Sequence, residues 1–199
     1  GNPVRKLFSE ISREEARRVL GISQDDFVVL SFGGSLGAKK INEEMKIAAH
    51  ELKDRKGLRI FFVTGRRYYD EIVADADPEN ERVTYLKYID NMPVYLSACN
   101  LAVTRSGALT VSEIAACGRA SVMIPSPYVT NNHQFFNAKV AADRAASILV
   151  EENDLKPGTV SDLIGKLMND RARVERMEKN SKNLGRTDSA DVMCDIMGI

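Results

Sequence analysis

The chain has 199 residues, 44% hydrophobic and 28% charged, which suits one large domain with a real core and is short for two. Lys plus Arg and Asp plus Glu stand at 28 each, so no net field favours nucleic acid, and no apolar run approaches the ~20 residues that span a bilayer. The 3 cysteines, Cys99, Cys117 and Cys194, are odd in number and widely spaced, which argues for reduced thiols in a cytosolic protein and against a disulfide framework or a zinc site.

The opening GNPVRKLF has no initiator methionine and reads as a turn, as expected of a piece from within a longer protein unless Gly1 is a tag remnant. Beyond it, FVVLSF (27–32), RIFFVT (59–64), RVTYL (82–86), LAVT (101–104), SVMIP (121–125) and SILVE (147–151) have strand length, with boundaries at Gly, Pro, Asn or a charge. Helical patterns lie between them: INEEMKIAAHELK, YYDEIVADA, NMPVYLSAC, LTVSEIAAC and NNHQFFNAKVAADR. Strands that are apolar nearly throughout are covered on both faces. The expectation is therefore an α/β fold, an open, doubly wound, parallel sheet in a single domain over 1–199, with helices of roughly the last fifty residues packed around its end. Ligands of such sheets bind outside the carboxyl ends of the strands, so function is sought in the loops that follow them.

After the first strand comes FGGSLGAKKIN (32–42). Gly33 and Gly34 permit a tight turn, Ser35 adds a hydroxyl, and Gly37 lets a helix start close to the strand, its free N–H groups forming an anion site. A plain βα turn reads the same way. The dinucleotide fingerprint fails because Phe32 stands where its first glycine belongs, and a P-loop fails because Ala38 follows Gly37. The second strand ends in TGRR, so Arg66 or Arg67 resembles an NADP contact rather than a ribose-binding acid.

YLKYIDNMPVYLSAC (85–99) crosses the carboxyl end of the third strand, where Ile89 is placed to press on a flat base while its backbone reads the edge. Loop anchoring by Tyr88 and Ile89 is the plainer alternative. The fourth strand runs into Ser106 and Gly107 and then a helix starting at Ala108 to Thr110, in which Thr110 and Glu113 share a face. Singly these are an N-cap and a dipole-complementing acid. Together, two helix N-termini at one sheet edge suit a diphosphate, and a carboxylate one turn further suits ribose hydroxyls. That points to a nucleoside diphosphate, with a sugar attached.

PSPYVTNNHQFFNA (125–138) follows the fifth strand and concentrates Asn131, Asn132, His133 and Gln134. Gln134 both donates and accepts, as a sugar hydroxyl requires; alternatively Asn131 or Asn132 caps a helix. His50 lies opposite the apolar face formed by Ile41, Met45, Ala48 and Leu52, leaving His133 as the one histidine at the expected site. No Ser–His–Asp arrangement and no D-x-D metal motif is present.

In order and spacing, GNPVR, GGSLGA, YIDNM, TRSGALTVSEIAACG and PSPYVTNNHQFFNA resemble blocks of the MurG family, from residue 1 to about 155. Enzymes of that family transfer N-acetylglucosamine from UDP-GlcNAc to lipid I, giving lipid II for bacterial peptidoglycan. The resemblance is to the C-terminal half of a two-domain GT-B architecture. It implies that residues 1–12 are an interdomain crossover, and that the helix over 186–199 packs toward an N-terminal acceptor domain carrying the general base. Lipid I would be met at the cytoplasmic face of the plasma membrane, with the whole enzyme held peripherally.

By the same resemblance the donor contacts fall on Arg5, on Gly34, Ser35 and Gly37, on Ile89, on Ser106, Gly107, Ala108, Leu109, Thr110, Val111, Ser112 and Glu113, and on His133 and Gln134. The Ile89 backbone would read uracil and Glu113 would take the ribose. The Ser35 loop and the Ala108–Thr110 helix start would hold the diphosphate, and Gln134 the sugar. No cofactor or metal is implied, and no catalytic residue in this half. Two other readings remain: another GT-B UDP-sugar enzyme, such as a glycolipid glycosyltransferase or a UDP-GlcNAc 2-epimerase, or a non-catalytic nucleotide-binding module.

Overall fold

The computed structural model describes residues 2–186 together with Ser189 and Val192. Its elements in chain order are α1 (Leu7–Glu10), α2 (Arg13–Leu20), β1 (Phe27–Phe32), α3 (Lys39–Glu51), β2 (Leu58–Val63), α4 (Tyr69–Ala74), β3 (Val83–Leu86) and α5 (Met92–Ala98). There follow β4 (Leu101–Thr104), α6 (Ala108–Cys117), β5 (Ala120–Met123), α7 (His133–Asp143), β6 (Ser147–Leu149), α8 (Thr159–Asn169) and α9 (Arg171–Leu184). The six strands form one parallel sheet in the order β3-β2-β1-β4-β5-β6. The expected strands are all present, β1 and β4 with the expected bounds and the others with ends shifted by one or two residues.

Why the strands are apolar throughout is visible in β1. Phe27 and Val29 enter the core on one sheet face, with Ile41, Met45 and Ala48 of α3. Val28, Leu30 and Phe32 enter the core on the other, with Phe8, Leu96 and Ile114. Every residue of this strand is buried, and each large side chain removed from water contributes ~1.5–3 kcal/mol. Helix α8 packs on α3, and α9 packs on α6 and β5, as expected of the last fifty residues. Most of the C-terminal helix expected over 186–199 lies outside the described residues.

The sequence reading placed no helix between residues 7 and 20, yet α1 and α2 occupy that stretch. The signal was available: Ser12 stands three residues before Glu15, and its hydroxyl accepts from the Glu15 N–H at 3.1 Å, capping α2. Helix α2 is anchored by Arg17, whose side chain is almost fully buried. Its guanidinium donates to the Ala98 carbonyl at 3.0 Å and to Asn100 Oδ1 at 2.7 Å, and the same Oδ1 accepts from the Val28 N–H at 2.8 Å. One arginine thus ties α2 to the end of α5 and to the central strand.

Candidate functional site

The strand order changes direction between β1 and β4: the chain runs outward through β2 and β3 on one side, and through β5 and β6 on the other. Loops leaving β1 and β4 therefore diverge and leave a crevice at the carboxyl edge. Two clefts lie there, on either side of the 33–37 loop. The first, of about 260 Å³, is lined by Arg5, Phe32, Gly34, Ser35, Val63, Tyr88, Ile89, Asp90, Met92, Thr110 and Glu113. The second, of about 440 Å³, is lined by residues that include Gly33, Gly37, Lys39, Lys40, Arg105, Ser126, Tyr128, Gln134 and Glu152.

Helices α3 and α6, which follow the two glycine-bearing loops, have no side chain capping their N-termini. In α6 the first intrahelical bond runs from the Val111 N–H to the Gly107 carbonyl at 3.0 Å, and no side chain caps the start. In α3 it runs from the Asn42 N–H to the Ala38 carbonyl at 2.9 Å, again without a side-chain cap. The preceding N–H groups of each helix are oriented toward its N-terminal end, where the dipole favours an anion. Helices α2 and α9, by contrast, are capped by Ser12 and Asp170.

Glu113 sits in the second turn of α6 and lines the first cleft. Burial pushes its carboxyl above the ordinary carboxylate range, and the neighbouring Arg5 charge draws it partly back. Ile89 is buried in the core beneath the same cleft, and its N–H and C=O bond to no other backbone group among the described residues. A buried side chain with a free backbone edge can present a donor and an acceptor to a planar ligand.

The structure thus brings Arg5, Gly34, Ser35, Ile89, Thr110 and Glu113 into one cleft, with Gly37 and Gln134 in its neighbour. Other expected residues point elsewhere. Ser106 is fully buried, and its hydroxyl donates to the Gln134 carbonyl at 2.8 Å, so it ties β4 to α7. Val111 and Ser112 line an apolar cavity on the far side of α6, where Ser112 also accepts from the Asn2 amide at 3.0 Å. Leu109 is exposed. Gly107 is the N-cap of α6 and Ala108 its first residue.

Gln134 uses Oε1 to accept from the Ser126 N–H at 3.0 Å, leaving its amide nitrogen as donor. His133 lines neither cleft; its ring lies 2.9 Å from the Thr130 carbonyl. Neither Asn131 nor Asn132 caps α7 through its side chain. Both adopt left-handed backbone, with φ of 54° and 50°, and turn the chain into the helix.

Several lining residues carry no signal in the linear sequence. Phe32, Val63 and Met92 form an apolar floor to the first cleft, and Lys39 and Lys40 put cations at the mouth of the second. Arg105 forms an ion pair with Glu152 and donates to the Ile124 carbonyl at 3.0 Å; the partner is 47 positions away, beyond any local pattern. Arg66 and Arg67 lie on the rings of Tyr88 and Tyr68, with guanidinium-to-centroid distances of 4.9 and 5.6 Å. No cluster of metal-ligating side chains occurs among the described residues.

The model of the glycosyltransferase family 28 C-terminal domain matches residues 28–193. The chain belongs to this family. That agrees with the MurG resemblance read from the sequence blocks. A curated relative from Acetivibrio thermocellus, named UDP-N-acetylglucosamine–N-acetylmuramyl-(pentapeptide) pyrophosphoryl-undecaprenol N-acetylglucosamine transferase, is 38% identical over 198 residues. The match takes in 99% of this chain and 54% of that protein.

Among solved structures, Acinetobacter baumannii MurG is similar with a TM-score of 0.80 at 29% identity, over 96% of this chain and 54% of that one. A UDP-N-acetylglucosamine 2-epimerase shares the fold at a TM-score of 0.64 and 11% identity, over 91% of this chain and 46% of that one. The chain spans about half the length of the curated relatives it matches. No helix among the described residues is long and apolar enough to cross a membrane.

Proposed function

We propose that this chain is the donor-binding half of an N-acetylglucosaminyltransferase that moves GlcNAc from UDP-GlcNAc to lipid I, making lipid II for peptidoglycan. The observation that supports this best is the paired cleft at the β1/β4 divergence. An unpaired carboxylate and a free backbone edge lie on one side, and an open helix N-terminus with two lysines on the other. Uracil lies against Ile89, whose N–H and C=O meet the base edge. Glu113 accepts from the ribose hydroxyls, with Arg5 beside it. The diphosphate crosses the Ser35 loop between the α6 and α3 N-termini, which stabilise the charge that develops as UDP leaves. The sugar reaches the Gln134 amide.

In the same proposal a base in the preceding half deprotonates the acceptor hydroxyl, which attacks the anomeric carbon in line as the bond to the UDP oxygen breaks, inverting the centre. The chain alone then binds donor without turning it over. Residues 1–12 cross between the halves, and the assembled enzyme works peripherally at the cytoplasmic face of the plasma membrane. No metal or cofactor enters the scheme.

Calorimetric titration with UDP-GlcNAc, UDP-glucose and NADPH tests it. Preference for UDP-GlcNAc over both is expected. Preference for NADPH would favour the nucleotide-module reading, in which Arg66 and Arg67 take the 2′-phosphate. Absence of UDP-sugar binding at millimolar ligand, persisting when the preceding half is restored, would refute the assignment. Turnover of lipid I by the restored protein alone completes the test.

A further inference from the structure

The loop after β2, residues 64–67, lines neither cleft, yet it is the bed on which the 33–37 loop rests. Gly37 and Gly65 meet backbone to backbone, with φ of 86° and 84°. A Cβ at Gly65 would stand 2.2 Å from Gly37 N and 2.4 Å from Gly37 Cα, and one at Gly37 would stand 2.1 Å from the Thr64 carbonyl oxygen. No side chain fits between the two loops, and the left-handed backbone disfavours one at either position.

Polar contacts fix the same register. The Arg66 N–H donates to the Ser35 carbonyl at 3.3 Å, and the buried Asn42 amide of α3 donates to the Thr64 carbonyl at 2.9 Å. The Thr64 N–H in turn donates to the Leu86 carbonyl at 3.0 Å, joining this bed to the end of β3.

We propose that Gly65 is a positioning residue for the diphosphate: by interlocking with Gly37 it holds the Ser35 loop at the height where its backbone meets the ligand's phosphates. This rests on the UDP-sugar reading above. Ile89 and Glu113, on the nucleoside side of the cleft, take no part in the Gly37–Gly65 contact, which a Cβ at Gly65 would break at Gly37 and Leu36. Displacing the Ser35 loop therefore costs phosphate contacts and spares the base and ribose.

The test is the ratio of UDP to uridine affinity, by NMR titration, in the wild-type chain and in Gly65→Ala. The added methyl forces the two loops apart, so UDP affinity is expected to fall at least tenfold further than uridine affinity. An equal loss of both ligands, or no loss, overturns the proposal; failure to bind UDP that persists when the preceding half is restored strikes the functional reading instead. If Gly65→Ala does not fold, amide exchange on the wild-type chain decides. UDP, but not uridine, is expected to slow exchange at Arg66, whose N–H bonds Ser35 and touches no ligand. Unchanged exchange at Arg66 with UDP bound overturns the coupling.

Discussion

Glu113 is the residue where stability and binding are expected to pull apart. Its carboxylate is half-buried, with no hydrogen bond or ion pair among the described residues, and burial raises its proton affinity while Arg5 offsets part of that. The charged form is thus disfavoured in the empty domain. Glu113→Gln keeps the shape and removes the charge, so it should leave the domain as stable as wild type or more stable at neutral pH. UDP affinity should move the other way. A hydrogen bond to a charged group is worth ~1.5–3 kcal/mol, and each ~1.4 kcal/mol is tenfold. Gln retains a neutral acceptor, so Glu113→Gln should cost about tenfold, and Glu113→Ala, which retains none, up to about 150-fold.

The pH dependence has a fixed sign. Because the folded-state pKa lies above the unfolded one, ionisation penalises the fold as pH rises from the ordinary glutamate range through the raised value. The stability gap between wild type and Glu113→Gln should therefore be absent at low pH and complete above the raised pKa. As pH drops through that raised value, wild-type UDP affinity should fall further than that of the glutamine variant, protonation of the UDP phosphate being common to both. Thermal melts and calorimetry across pH 4 to 8 read both quantities. Parallel loss of stability and affinity in Glu113→Gln would refute the reasoning, as would UDP affinity equal to wild type.

Two further outcomes follow from the buried interior. Arg17→Ala should destabilise the domain by about 3 kcal/mol, because the buried Ala98 carbonyl and Asn100 Oδ1 lose their charged donor. For a chain of this size that is a fall in Tm of roughly 6–12 °C, read by calorimetry, with UDP affinity unchanged well below the transition. Burial pushes the Cys99 thiol up to about 12 and the Cys117 thiol up to about 11, so neither supplies thiolate near neutral pH. Native-state alkylation at pH 8 followed by peptide mapping should leave both unlabelled, and denaturant should expose both; rapid native labelling at Cys99 would contradict its burial.

Much of the architecture was legible in the chain because its signals are local. Apolar runs four to six residues long reveal strands wherever both sheet faces are covered, and β1 shows the reason, with alternate side chains entering opposite cores. The helix spacing of Thr110 and Glu113 correctly predicts that both face one cleft, since residues three apart stack on a helix surface. The Ser12 cap of α2 is an equally local signal, a hydroxyl three residues before Glu15. Residues 106–112 mark the boundary of this kind of reasoning. Adjacent residues in a motif alternate between ligand side and core side, so Ser106 serves α7 and Val111 the far cavity, although both sit in the same block as Glu113.

By itself, then, the sequence determined the α/β alternation, the glycine-bearing loops, the family and the region where a nucleotide sugar would be sought. Tertiary structure alone decided the strand order that opens the crevice between β1 and β4, the pairing of Arg105 with Glu152, and the seating of Gly65 on Gly37. Those features depend on contacts between segments tens of residues apart. Propensity and periodicity act over a turn or a strand, whereas register between loops is set by the packing of whole strands and helices.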